Sequence, residues 1–232
     1  MPKLLQKEID KLKKHMLRLG TVVEESVREA VKAIHERDIQ LAERIIRRDE
    51  EIDKMEVDLE EECLKVLALY QPVAIDLRFI IAILKINNDL ERIGDLAVNI
   101  AERVKFLASI PERTIPFDFD EMSEKVQVML HHSLDALVNM SPSMAVQVCD
   151  ADDEVDALNR DMYKRVEREM KARPEDAPSL IPFLGVAWRL ERIGDHATNI
   201  AEDVIYMIEG EIIRHRYKDS GHHDKKGHGD LF

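Results

Sequence analysis

The sequence predicts an all-α protein, elongated and built as two tandem three-helix bundles related by internal duplication. Three observations carry this. The segment Leu90–Glu102, LERIGDLAVNIAE, returns one hundred positions later at Leu190–Glu202 as LERIGDHATNIAE, with only Leu96/His196 and Val98/Thr198 changed. Self-similarity of this kind marks a repeat architecture. Charged residues make up 35% of the 232-residue chain, aromatics 5%, and glycine and proline eight each, a composition of long helices. Finally, apolar positions match between the halves at an offset of 103: Val23, Val27, Val31, Ala33, Ile34, Leu41, Ala42, Ile45 and Ile52 face Val126, Leu130, Leu134, Ala136, Leu137, Met144, Ala145, Val148 and Val155.

Each element follows from its punctuation. Three long helices are predicted over about 3–37, 38–70 and 74–108. Asp38 is the N-cap candidate for the second. Gln71-Pro72 ends it, because proline disfavours helical geometry in the residue before it. Two prolines in SIPERTIPFDFD, Ser109–Asp120, mark the linker. Three further helices are expected over about 120–140, 142–172 and 177–210. Pro142 suits a first helical turn, and Pro182 should make the start of the last helix irregular. The domains are therefore 1–109, a linker at 110–119, 120–213, and a tail at 214–232. The tail is polar, rich in Gly and His, and predicted to be disordered. The repeat offset drops from 103 to 100 after the second helix, so the length difference falls in a loop, where it is tolerated.

Charge excludes several functions. A net charge of −13 argues against a nucleic-acid binder and against adsorption to anionic lipid. It also argues against direct binding of phosphate unless a metal bridges it. The longest apolar run, Phe79–Leu84, falls far short of a membrane span. With no apolar signal core near the start, a cytoplasmic protein is expected. Cys63 and Cys149 form no C-x-x-C pair and read as buried small apolar residues. No Walker loop, G-x-S-x-G or dinucleotide fingerprint is present, so no enzyme is expected.

The chemistry lies in an oxygen-rich stripe. At about 100° per residue, with Glu91 at zero, Asp95 falls near 40°, Asn99 near 80° and Glu102 near 20°. Ile93, Ala97, Ile100 and Val104 cluster on the opposite side. Glu191, Asp195, Asn199 and Glu202 repeat the pattern. Like charges at i,i+4 cost ~0.2–0.5 kcal/mol per pair. No Lys or Arg enters the arc, although Arg92 and Arg103 lie beside it. A second acidic series, Asp49, Asp53, Glu56 and Glu60, lies on the second helix. Its counterpart on the fifth is Asp152, Asp156 and Asn159. Packed together, these helices offer carboxylate and amide oxygens suited to Mg²⁺, Mn²⁺, Ca²⁺ or iron.

A ferritin-like iron oxidase or store needs inward-facing Glu-x-x-His pairs, which are absent: Glu191 and His196 are five apart, and the first copy has Leu96. His196 is read as a surface or interface side chain. Gly94 and Gly194, inside helices, point to close helix approach. Trp188, in place of Asn88, is either an exposed contact or rim packing.

Four E/D-x-x-x-D motifs are thus present: Asp49/Asp53, Glu91/Asp95, Asp152/Asp156 and Glu191/Asp195. With QPVAIDLRFI at Gln71–Ile80 leading into NDLERIGDLAVNIAE, the chain resembles the PhoU family of bacterial phosphate-signalling regulators up to about Ile213. The resemblance implies paired three-helix bundles, often dimeric, with metal clusters at these motifs. The eight motif carboxylates become candidate ligands, joined by Asn99, Asn199, Glu102 and Glu202 from the arc. Iron, manganese, magnesium or zinc is the implied cofactor. The implied function is negative regulation of phosphate uptake and of the phosphate-starvation response. The implied partners are the ATPase subunit of the phosphate ABC transporter, a phosphate-sensing histidine kinase and a second copy. A regulator of a low-affinity phosphate carrier is the alternative, with a carboxylate-bridged iron protein behind it. Asn159, opposite Glu56, makes the second site less anionic.

Overall fold

The computed structural model describes residues 3–109 and 119–210; the linker residues 110–118 and the tail lie outside this range. The helices are α1 (Lys3–Glu36), α2 (Ile39–Tyr70), α3 (Ala74–Ser109), α4 (Asp120–Val138), α5 (Pro142–Ala172) and α6 (Ala177–Glu209), with a 3₁₀ turn, Pro174–Asp176, before α6. The Asp38 side chain accepts the Leu41 N–H at 2.9 Å and caps α2. Gln71 closes α2 in the left-handed region, at φ 45°, with its N–H on the Leu67 carbonyl. Ser141 caps α5 with Pro142 in the first turn. Pro182 does not disturb α6, which runs through it unbroken. Proline there removes one N–H, whose acceptor would be the Pro178 carbonyl in the first turn, so little of the ladder is lost.

Helices α1–α3 pack on one another, as do α4–α6. The matched apolar positions fill the two cores. Val23, Val27, Ile45 and Ile52 in the first, and Val126, Leu130, Val148 and Val155 in the second, are fully buried. Met144 alone among the matched positions is only partly buried.

The bundles join through α3 against α6 and α1 against α4, leaving α2 and α5 outermost. Both pairs run antiparallel, as the order of their contacts shows. Along α3 and α6, the Arg78 guanidinium donates to the Met207 carbonyl, Lys85 pairs with Asp203 at 2.9 Å, and Asp89 meets His196 at 2.8 Å. Between α1 and α4, Glu24 meets His131 at 3.0 Å and Asp120 meets His35 at 2.8 Å. His196 is therefore an inter-bundle contact. An antiparallel pairing of duplicated helices is approximately two-fold symmetric, so each groove along the joint has a mate one repeat away.

Candidate functional site

The first acidic groove lies between α2 and α3. Burial of Ile45, Ile52, Leu59, Cys63 and Val66 fixes the rotation of α2 and leaves Asp49, Asp53, Glu56 and Glu60 at its outer edge. Gly94 of α3 sits against Ile52: a Cβ there would stand 3.2 Å from Ile52 Cδ1 and Cγ2. This close approach brings Glu91 and Asp95 beside the α2 carboxylates. The corresponding contact in the second bundle is looser, with Gly194 facing Val155 at 3.6 Å.

The electrostatics show which side chains are brought together. Burial raises the Glu91 carboxyl above its ordinary range, with repulsion from Asp95, Asp53 and Glu56 added and Arg92 opposing. Burial likewise raises Asp49, helped by Asp53 and Asp95, and Glu56, helped by Glu60 and Asp53. In the α5–α6 groove, burial raises Glu191, reinforced by Asp195, Asp156 and Asp152 and opposed by Arg192. The same two effects, desolvation and like charge, thus act on equivalent glutamates in both repeats. Glu91 Oε2 and Glu191 Oε2 are both buried without a hydrogen-bond donor; the nearest cation to the former is Arg92 Nε, at 3.4 Å.

Three features depart from the stripe read off the helical period. Arginines do reach it: Arg92 binds Asp95 at 3.3 Å, Arg192 binds Asp195 at 3.0 Å, and Arg160 binds Asp156 at 3.1 Å. Repelled carboxylates take the neighbouring guanidinium, and a wheel of 100° steps ignores how far an arginine can reach sideways. The stripe is also divided. Asn99 donates to the Asp95 backbone carbonyl, and Glu102 lies within electrostatic reach of Arg189 on α6. Asn199 reaches Asp89 at 3.4 Å, and Glu202 lines the groove against α3 while also acting on the Cys149 thiol. Finally, among the described residues no three His, Cys, Asp or Glu side chains are gathered closely enough to hold one ion.

Asn87 escapes a reading of acidic residues alone. It is 1% exposed and donates to the Glu56 backbone carbonyl and carboxylate, while its own Oδ1 is buried without a donor. Its position four residues before Glu91 places it on the same side of α3. In the second repeat Ala187 takes its place and Asn159 takes that of Glu56, again with a buried, unpaired Oδ1. Glu91, Glu191, Asn87 and Asn159 each keep one buried oxygen without a donor, and an oxygen-only set is the kind that hard cations take. Asp95 and Asp195 are already paired with Arg92 and Arg192.

Cys63 and Cys149 belong to no such site. Burial pushes both thiols up to about 12, which leaves them unreactive. No described helix is long and apolar enough to cross a membrane.

Comparison with known proteins agrees with this architecture. The family model described as PhoU domain matches twice, at residues 16–104 and 119–204. The phosphate-specific transport system accessory protein PhoU homolog of Aquifex aeolicus is 38% identical over 94% of this chain and 99% of its own. That of Clostridium acetobutylicum is 36% identical over 91% and 97%. The crystal structure of PhoU from Pseudomonas aeruginosa superposes with a TM-score of 0.84 at 36% identity, covering 89% of this chain and 99% of that one. The phosphate transport system regulatory protein PhoU from Streptococcus pneumoniae gives 0.84 at 30% identity, covering 90% and 98%. With both repeats matched and nearly the whole chain aligned, the protein belongs to the PhoU family.

Proposed function

We propose that this chain is a cytoplasmic regulator of phosphate transport that works as a metal-binding adaptor, without catalysis. Its relatives are named as accessory proteins of phosphate-specific transport systems, which supports a phosphate transporter as its partner. The ATPase subunit of that transporter, a phosphate-sensing histidine kinase and a second copy of the chain are the proposed contacts. When phosphate is plentiful, the adaptor restrains uptake and the starvation response.

The observation that carries the metal reading is the twin pair of buried, undonated glutamate oxygens, Glu91 Oε2 and Glu191 Oε2, each among like charges. Asp49, Asp53, Glu91 and Asp95 would hold ions in the first groove, and Asp152, Asp156, Glu191 and Asp195 in the second. Asn99, Asn199, Glu102 and Glu202 lie further round the helices, as outer partners. A bound cation supplies positive charge that turns carboxylate repulsion into attraction and changes the face offered to a partner. Asp95 and Asp195 must first release Arg92 and Arg192, which frees two guanidinium groups for a docking protein.

Calorimetry on chelator-treated protein with Mn²⁺, Mg²⁺, Zn²⁺ and Fe²⁺ tests this. Saturable binding, weakened at least tenfold by Asp95→Asn with Asp195→Asn, is expected. Absence of binding, or binding indifferent to those changes, rejects the metal reading. Recovery of the tagged chain from phosphate-replete cells identifies its transporter. A low-affinity carrier in place of the ATPase subunit would move the assignment to the alternative reading.

A further inference from the structure

The joint between α3 and α6 holds a groove of about 590 Å³ lined by Ile81, Leu84, Lys85, Asn88, Asp89, Asn199, Glu202 and Asp203, and the antiparallel repeat symmetry gives it a mate one repeat away. Its charges are paired across the joint, Lys85 with Asp203 and Asp89 with His196. The repeat offset of 100 converts these groups into those of the mate groove. Lys85 becomes Gly185, Asn88 becomes Trp188, Asp89 becomes Arg189, Asp203 becomes Arg103, and His196 becomes Leu96.

Every ionic partnership of the first groove is therefore cancelled in the second. Arg103 faces a glycine where an ion-pair partner would be, and Arg189 faces leucine. Among the described residues Arg103 makes no ion pair. Arg189 has a single hydrogen bond, from Nη1 to the Gly185 carbonyl at 2.7 Å, and its Nε finds no acceptor. Burial and the nearby Arg103 both push the Arg189 guanidinium down, and Glu102 opposes them. Two cations thus stand near one another in a chain of net charge −13.

Trp188 completes the groove. It is 45% exposed, and the Arg189 guanidinium carbon lies 5.7 Å from its ring centroid. An exposed indole beside Arg189, with Arg103 near that guanidinium, offers a flat face and two planar forks for oxyanions. Gly185, with no side chain, lets the Arg189 guanidinium lie over it: an added Cβ would stand 3.1 Å from Nη1.

We propose that the groove formed by Arg103, Trp188 and Arg189 binds a phosphate-bearing small molecule. The guanidinium groups take the phosphate oxygens, and the indole packs against whatever the phosphate carries. The source is either free orthophosphate or a nucleotide, whose base would lie on Trp188. This site is separate from the acidic grooves and does not depend on their holding metal.

Trp188 is the chain's one tryptophan, so its fluorescence reports on the groove directly. The full chain is titrated at constant ionic strength with inorganic phosphate, with ATP, and with sulfate and chloride as controls, and calorimetry is run in parallel. A saturable response to phosphate or ATP is expected, with affinity falling at least tenfold in Arg103→Gln and in Arg189→Gln. Asn88→Ala in the mate groove should leave affinity unchanged. Arg103 is exposed, so its variant keeps the test sound should Arg189→Gln unfold, which circular dichroism would reveal. Phosphate alone saturating identifies free phosphate as the ligand; tighter binding of ATP identifies the nucleotide. No saturation with either, an equal response to sulfate (an adventitious ion only), or affinity unaltered in Arg103→Gln overturns the proposal.

Discussion

At the scale of single residues, the two helix-interior glycines form a matched experiment. Glycine inside a helix costs ~1 kcal/mol relative to alanine. At Gly194 an added Cβ meets Val155 at an ordinary 3.6 Å, so Gly194→Ala should stabilise by about 0.5–1 kcal/mol, raising Tm by roughly 1–4 °C. At Gly94 the same atom would press on Ile52 at 3.2 Å. Overpacking of ~1–3 kcal/mol then cancels or exceeds the gain, and Gly94→Ala should leave Tm unchanged or lower. Thermal unfolding of both variants checks this; a gain at Gly94 equal to that at Gly194 would contradict it. Close approach was legible in the sequence from glycine recurring in a helix. Its inequality was not, because the difference rests on one methyl group, Ile52 against Val155. Asn87 was hidden for a related reason: an amide carries no charge pattern, and only its burial beside Glu56 reveals its part.

At the scale of helices, the pairing of α2 with α3 and α5 with α6 sets a pH dependence. Asp49, Glu56, Glu91 and Glu191 all titrate above the ordinary carboxyl range, chiefly through burial, with like charges adding. In that window the folded protein holds protons that the unfolded chain has released. Stability of metal-free protein therefore rises as pH falls from neutral through the raised values, and the gain ends near the ordinary carboxyl range. Glu91→Gln should flatten this profile. Removing its i,i+4 repulsion from Asp95 should also add ~0.2–0.5 kcal/mol at pH 7. Urea unfolding across pH 5–8 measures both effects; a profile that falls on acidification, or one unchanged in the variant, would refute the account. The helices themselves were almost fully legible. Asp38, Gln71-Pro72 and Ser141-Pro142 act through local backbone chemistry that no distant contact overrides. The arginines on Asp95, Asp156 and Asp195 were not, since spacing gives direction from the axis and not the reach of a long side chain.

For the whole molecule, the joint between the bundles carries a partly buried ion pair that contributes to stability. Asp203 is 3% exposed and its cation, Lys85, stands 2.9 Å away on the other repeat, 5.2 Å from the Tyr206 ring. Lys85→Met takes the ammonium from a buried carboxylate. The expected cost is about 2 kcal/mol, below the ~3–5 kcal/mol of a fully buried pair because Lys85 is itself 37% exposed. Lys85→Met with Asp203→Leu should recover most of the loss, as apolar replacements of buried pairs usually do. Chemical denaturation of the two variants tests this, and a double variant no more stable than the single one would disprove it. The duplication foretold the two bundles. It could not foretell how they meet, because the ion pairs of the joint lie at positions where the copies differ.

The outermost placement of α2 and α5 has a further consequence. Among the described residues each packs chiefly within its own bundle, whereas α3 and α6 touch both halves. Slow opening of the native state should therefore begin with these two rods peeling away, leaving the four inner helices as the last structure to melt. An ion lodged under either rod would act as a rivet on the layer most prone to lift, and its departure would announce itself as faster amide exchange there and nowhere else.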